Sequence, residues 1–273
     1  MDELKFDVAG EGPTLLLVHG VLHRRHAWDA VLPLLTPHRR VVVVDLPGHG
    51  ESGPLDMSGP SILAQFLEPL NDLIDHTTEP GQPVHVAGNS LGGWLALALA
   101  AQGRTASATA LSPVGFFVNS ADRTRAMATF RLVRALARVG GRYTPDLMRY
   151  RAIRYLGLAP FFARPSHVPY ETALIDMEAM LDSPLLEAGN NGLDFPPMAS
   201  DLPTTVLPAV PVTVAWGRRD IMLPVYQARR VYRSFPHARL IVVPGVGHVS
   251  MSDNPELIAS ILLAGSETAA ASV

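Results

Sequence analysis

The chain has 273 residues, 48% of them hydrophobic and 17% charged, with a net charge of −3 and no cysteine. At ~150 residues per domain this makes one large or two modest domains, with too few charges for a disordered chain and no basic excess for a nucleic-acid partner. The absence of cysteine excludes a disulfide framework, a zinc–thiolate site and a cysteine nucleophile.

The N-terminus, Met1-Asp2-Glu3-Leu4-Lys5-Phe6, is acidic and lacks the apolar core of a signal peptide. The longest strictly apolar run, residues 94–101, is far short of the ~20 residues of a membrane span. A cytoplasmic protein with no membrane partner is the expectation. Four short aliphatic runs follow, at residues 14–18, 41–44, 84–87 and 108–111, each closed by Gly, Pro or a small polar residue or Asp. Continuous apolar runs of this kind predict strands buried on both faces, as in a parallel sheet. Helical spacing separates them: Ile62, Phe66, Leu70, Leu73 and Ile74 in one stretch, and the Ala/Leu-rich residues 91–102 in another. Two late strands are predicted at 212–216 and 239–243, with a helical stretch at 225–235 between them. A final helix is expected over 254–263 with Asp253 as its N-cap, followed by a fraying tail at 264–273. Residues 4–8 are a further strand candidate. Strands alternating with helices predict an α/β fold around a mainly parallel sheet.

The alternation breaks between Pro113 and Pro208, where helical segments replace strands. Arg131, Arg134 and Arg138 recur at helical spacing, Thr144-Pro145-Asp146 starts another helix, and residues 170–181 form a third. Pro196, Pro197, Pro203, Pro208 and Pro211 read as connecting loop. A helical block between two strands of one sheet predicts a lid over residues 113–208, with 1–112 and 209–273 as the core. The plain alternative is decoration of the sheet. The arginine spacing reads as a solvated helix face, with Leu132, Val133 and Leu136 packing inward.

The strongest chemical signal is Gly88-Asn89-Ser90-Leu91-Gly92, followed by Gly93, between a predicted strand and a predicted helix. A turn that tight needs small flanking residues, and it holds the serine hydroxyl exposed at the sheet's carboxyl edge. Serine needs a base to act as a nucleophile. His248 lies in the Gly-rich segment Pro244-Gly245-Val246-Gly247-His248, just after the last strand. Asp220, after the preceding strand, has room to reach the same edge and hold one tautomer of His248. Acyl transfer also needs donors for the developing oxyanion. The backbone N–H groups of Leu91 and of Val21, in the loop after His19-Gly20, are the candidates.

Five landmarks in order carry a resemblance over almost the whole chain: His19-Gly20, Asp45-Leu46-Pro47-Gly48-His49-Gly50-Glu51-Ser52, Gly88 to Gly93, Trp216-Gly217-Arg218-Arg219-Asp220 and Gly247-His248. The sequence resembles the α/β-hydrolase fold family. That resemblance implies an eight-stranded sheet, an inserted helical cap at 113–208 and the triad order Ser, Asp, His. Dehalogenases and epoxide hydrolases of this family use an aspartate where this chain has Ser90. Serine members include esterases, lipases, thioesterases, lactonases and enzymes that cleave carbon–carbon bonds of diketones. Asn89 resembles the last group, but the loop from Val21 to His26 lacks its small-residue run.

Other candidates have plainer readings. His23 and His26 lack a ligating partner at suitable spacing, and Arg24 and Arg25 repel a cation, so no metal is expected. Gly48, Gly50 and Gly53 do not match a phosphate loop or a dinucleotide fingerprint and read as shaping a loop beside the pocket. Asp45 comes too early in the chain for the triad acid, and Asp194 and Asp201 lie in the insertion. The expectation is a serine hydrolase of a small carboxylic ester, with Ser90, His248 and Asp220 as triad and no cofactor. Carbon–carbon, thioester or lactone hydrolysis by the same triad is the first alternative. A hydrolase fold reused as a ligand receptor is the second.

Overall fold

The computed structural model describes residues 4–21, 23–58, 61–79, 81–183, 185 and 210–267. Seven strands form one sheet: β1 (Phe6–Ala9), β2 (Thr14–Val18), β3 (Arg40–Val44), β4 (Val84–Asn89), β5 (Ser107–Leu111), β6 (Val212–Gly217) and β7 (Arg239–Val243). Their order is β1-β3-β2-β4-β5-β6-β7. Only β1, at one edge, runs antiparallel to its neighbour. The six aliphatic runs are all strands. Residues 4–8 contribute the edge strand, so the described sheet has seven strands where the resemblance implied eight.

Strands β2, β4, β5 and β6 are buried at every position, which is why they read as unbroken apolar runs rather than alternating ones. The edges β1 and β7 face water along much of their length. Helix α1 (Ile62–Thr77) is capped by the Ser61 side chain, which accepts from the Ala64 N–H, and buries Phe66, Leu70, Leu73 and Ile74. Helix α2 (Leu91–Ala101) is apolar all round and buried from Leu91 to Ala100, as a helix sealed between sheet and neighbours must be. No helix among the described residues is long and apolar enough to cross a membrane.

At the end of β3, buried Asp45 organises the following loop. It accepts from the backbone N–H groups of Arg25 (2.7 Å) and Glu51 (3.1 Å) and pairs with the Arg25 guanidinium. Arg25 also reaches Asp7 of β1 and Glu51. Asp45 is thus fully engaged in structure, in keeping with its exclusion as the triad acid.

Among the described residues, four α-helices lie between β5 and β6: α3 (Ser120–Gly140), α4 (Thr144–Met148), α5 (Arg151–Leu158) and α6 (Tyr170–Asp182). The prolines at 196, 197, 203 and 208, with Asp194 and Asp201, lie outside the described residues. The expected solvent face of α3 needs correction. Arg134 is only 4% exposed, whereas Leu132 and Leu136 are each 61% exposed. Val133 is buried as expected, but Ala126 and Ala137 accompany it in place of the two leucines, and the Arg134 guanidinium donates to the Leu181 carbonyl (2.7 Å) in the last turn of α6. A cation there meets the negative end of the helix dipole.

The last helix, α7 (Pro255–Gly265), is capped by Asn254, which accepts from the Leu257 N–H, and not by Asp253. Nor does the tail fray from residue 264. Ala264 and Gly265 are helical, and Ser266 is buried, with Arg39 donating to its hydroxyl and carbonyl.

Backbones meet without side chains between them at the carboxyl ends of β2 and β4. A Cβ on Gly92 would stand 2.0 Å from the Val18 carbonyl oxygen, and one on Gly88 would stand 2.2 Å from the Gly92 carbonyl carbon. No rotamer relieves a clash with backbone. Gly92→Ala should therefore destabilise the fold by about 3 kcal/mol or more, at the upper end for overpacked cores. A urea midpoint within error of the wild type would show that β2 and α2 separate freely.

Candidate active site

Ser90 sits between β4 and α2 with φ 56° and ψ −111°, a conformation rarely adopted by residues with a side chain. Such strain costs on the order of 1–3 kcal/mol and persists only where the surroundings impose it. The turn is held on both sides. The Ser90 N–H donates to the Leu111 carbonyl of β5 (2.9 Å), and the Ser90 carbonyl accepts from the N–H groups of Trp94 (3.0 Å) and Val114 (3.2 Å). Leu91, Gly92 and Gly93 open the helix, where N–H groups have no partner within the helix and present positive charge.

His248 and Asp220 meet as the chain order predicted. His248 Nδ1 lies 2.8 Å from Asp220 Oδ2, both side chains being buried. A carboxylate only accepts, so Nδ1 carries the ring proton and the Nε2 lone pair is available as a base. The other Asp220 oxygen accepts from the Leu223 N–H (2.8 Å), which fixes the carboxylate plane. The two loops lie in backbone contact: a Cβ on Gly217 would stand 2.2 Å from the Gly247 carbonyl oxygen.

Two residues that bring these loops together were not expected from sequence. Asn89, read there only as a hint of substrate class, is buried and donates from Nδ2 to the carbonyls of His248 (2.9 Å) and Leu111 (3.1 Å). The residue beside Ser90 thus holds the backbone of His248 across 159 positions. Asp253 accepts from the N–H groups of Gly247 (2.7 Å), Ala163 (2.9 Å) and Arg164 (3.1 Å). Burial pushes its carboxyl above the usual value, and those backbone donors oppose the rise. A run of a carboxylate just after His248 was the available signal; its spacing to a helix start led to the capping role instead.

The third part is the turn after β2. A Cβ on Gly20 would lie 3.3 Å from Ser90 Cβ, so the turn passes directly beside the serine. His19 accepts the Leu46 N–H at Nε2 (3.0 Å), which leaves the ring proton on Nδ1 to donate to the Gly20 carbonyl (2.7 Å). That carbonyl belongs to the same planar peptide as the Val21 N–H, which in a trans peptide points the opposite way. Fixing one therefore aims the other. His49 Nε2 lies 2.6 Å from the Val21 carbonyl and its Nδ1 lies 3.0 Å from that of Pro47. Both imidazoles are buried, edge to face at 5.2 Å. Burial pushes His19 well below the ordinary histidine value, helped by His49, and burial also lowers His49. His23, passed over as a metal ligand, bonds through Nδ1 to Asp176 of α6 at 2.8 Å.

The sequence-derived candidates thus converge. Ser90, the N–H of Leu91 and the Gly20–Val21 turn share one place, Asn89 bridges from it to His248, and His248 holds Asp220. A cavity of about 750 Å³ lined by Leu4, Phe6, Pro47, Gln65 and His76 lies elsewhere, and none of these site residues line it.

Comparison with known proteins gives the family. The model of the alpha/beta hydrolase family matches residues 15–261. A pimeloyl-[acyl-carrier protein] methyl ester esterase from Nitrosomonas europaea is 27% identical over 266 residues, covering 95% of this chain and 98% of its own. A dihydrolipoyllysine-residue acetyltransferase component of an acetoin cleaving system from Pseudomonas putida is 30% identical, covering 95% of this chain and 65% of its own. Among solved structures, a thermophilic esterase from Thermogutta terrifontis matches with a TM-score of 0.71 at 23% identity, covering 96% of this chain and 92% of that one. With a family match across most of its length and a sheet and crossover order to fit, the chain belongs to the alpha/beta hydrolase family.

Proposed function

We propose that this protein is a serine hydrolase of carboxylic esters. The observation that carries the reading is the Asn89–His248 hydrogen bond, because it brings the His248–Asp220 pair to the strained serine turn. In this reading Ser90 Oγ attacks the ester carbonyl while His248 Nε2 takes its proton. The N–H groups of Val21 and Leu91 hold the oxyanion, and Asp220 stabilises the imidazolium. Collapse breaks the carbon–oxygen bond to the alcohol, which leaves with the proton from His248. Water then adds to the acyl-enzyme by the same route, releasing the acid and restoring Ser90. The chemistry needs no cofactor.

The helices between β5 and β6 form a cap over this site, within the 113–208 boundaries. Contacts with the His248 loop support that placement: the Val249 N–H donates to the Phe161 carbonyl (2.9 Å), and Asp253 holds both Gly247 and Ala163. The substrate is a small-molecule ester. The resemblance to the Nitrosomonas methyl ester esterase, along nearly the full length of both chains, supports an ester over the other acyl classes.

The test is turnover of a panel: p-nitrophenyl esters of increasing acyl length, a lactone, an acyl-CoA and a vinylogous diketone. Ester turnover should lead, and Ser90→Ala should abolish it to below about a thousandth while leaving the fold intact. A Ser90→Ala enzyme with more than about a tenth of the wild-type rate removes the assignment. Asp220→Asn should cost roughly 10⁴-fold in kcat, because an amide supports the wrong tautomer of His248.

The buried imidazoles behind the oxyanion turn give a stability signature. The unfolded chain protonates His19 and His49 near ~6.5, whereas the fold keeps both below that value. Their contribution is full above about pH 6.5 and is lost as pH falls toward the lowered folded values, at up to ~1.4 kcal/mol per pH unit for each. Urea midpoints should fall from pH 7.5 to 5.5, and more shallowly in His49→Gln. Identical midpoints across that range would mean that both rings accept a proton inside the fold.

A further inference from the structure

His23 and Asp176 are separated by 153 positions and joined at 2.8 Å between Nδ1 and Oδ1, both residues more than nine-tenths buried. Withdrawing an imidazole and a carboxylate from water is unfavourable unless they bond each other. The contact therefore fixes the relative position of the two segments that carry it. One segment is the middle of α6, between β5 and β6. The other is the turn after β2, which His23 closes five residues beyond Val18. The neighbouring Arg24–Asp182 pair joins the same two segments at 3.5 Å, but it is exposed and adds little.

His23 also closes the oxyanion turn. Its backbone N–H donates to the Gly20 carbonyl (3.1 Å), the oxygen that His19 Nδ1 also engages. That oxygen shares a peptide with the Val21 N–H. A continuous path thus runs from Asp176 through the His23 ring and backbone to the Gly20 carbonyl and so to the direction of the Val21 N–H. His19 and His49 lie within electrostatic reach of His23, and burial pushes both below the ordinary histidine value.

We propose that the His23–Asp176 hydrogen bond is the joint through which the inserted helices hold the oxyanion turn, making His23 and Asp176 positioning residues for ester cleavage. This rests on the reading of the Val21 N–H as an oxyanion donor. The pair touches no reacting atom. It ties the posture of the inserted helices to the stabilisation of the transition state, so a substrate that displaces α6 also misaims a donor. A misaimed donor weakens transition-state binding more than ground-state binding, so the loss appears in kcat rather than in KM.

The test compares Asp176→Ala, Asp176→Asn and His23→Ala in the full chain at a temperature well below their unfolding midpoints. Asp176→Ala should lower kcat on p-nitrophenyl butyrate about 10- to 100-fold, the range for a misplacement of about 1 Å, with KM within about threefold. Asp176→Asn retains the acceptor oxygen and should stay within about threefold of wild type. Affinity for a trifluoromethyl ketone, whose adduct places an oxyanion in the hole, should fall in step with kcat, while affinity for a product carboxylate should not. Hydrogen exchange at the His23 amide should quicken in Asp176→Ala and not in Asp176→Asn. A kcat within threefold of wild type in Asp176→Ala, or a loss that Asp176→Asn does not restore, overturns the proposal. If Asp176→Ala does not fold, His23→Ala carries the same comparison. If the wild-type enzyme turns over no ester, the ester reading fails by itself. Hydrogen exchange then decides the joint alone: an unchanged His23 amide sinks it, and a quickened one sustains the coupling.

Discussion

The site depends on one contact between bare backbones, where the start of α2 lies against the end of β2. Gly92 leaves no room for a Cβ beside the Val18 carbonyl, and Gly88 leaves none beside Gly92. Because these two residues have no side chains, the chain can leave β4, reverse and begin a helix within one residue. That residue is Ser90, and the abrupt reversal forces its positive φ. The same closeness brings the turn after β2 alongside the serine. The strained Ser90, the helix N-terminus and the nearby Gly20–Val21 turn are thus consequences of a single steric allowance.

The His248–Asp220 side is assembled differently, by hydrogen bonds over long separations. Asn89 reaches the His248 backbone, Asp220 reaches its ring, and Asp253 fastens Gly247. The helices between β5 and β6 take part in both halves. The loop after α5 meets the His248 loop through Phe161 and Ala163, and α6 meets the turn beside Ser90 through Asp176. Three buried histidines surround that turn, and burial pushes two of them, His19 and His49, below the ordinary histidine value because no water is there to solvate a charge.

Where the physics is local, the sequence was legible. Strands sealed on both faces must be continuously apolar, so β2 to β6 stood out, while β1, with one edge in water and Asp7 within it, was only a candidate. The serine turn was legible because its steric demand writes glycines at fixed offsets. Helical periodicity located α3 but did not say which side faces inward. The interior beside it accepted Ala126, Val133 and Ala137 together with the paired Arg134, and left Leu132 and Leu136 outside. Asp253 was misread for a related reason, since a carboxylate ahead of a proline looks like a cap whether or not other backbone donors claim it. His23 with Asp176 was beyond reach, because nothing local to either residue encodes a partner 153 positions away.

The pairing of β6 with β5 bears on how the molecule comes into being. These neighbours in the sheet are separated by the whole inserted block, with Ala108 opposite Val212. Closing a loop of that length costs entropy that grows only slowly, about 0.6 kcal/mol for each doubling. The thermodynamic burden is therefore mild, but contacts so distant in sequence form late. Strands β1 to β5 can collect on the ribosome while β6 and β7 are still unmade. Ser90 belongs to that first half, whereas Asp220 and His248 belong to the second. A nascent chain would carry its strained serine turn for some time before His248 arrived, and Ser90 would stand without that imidazole until roughly the last quarter of the polypeptide had docked.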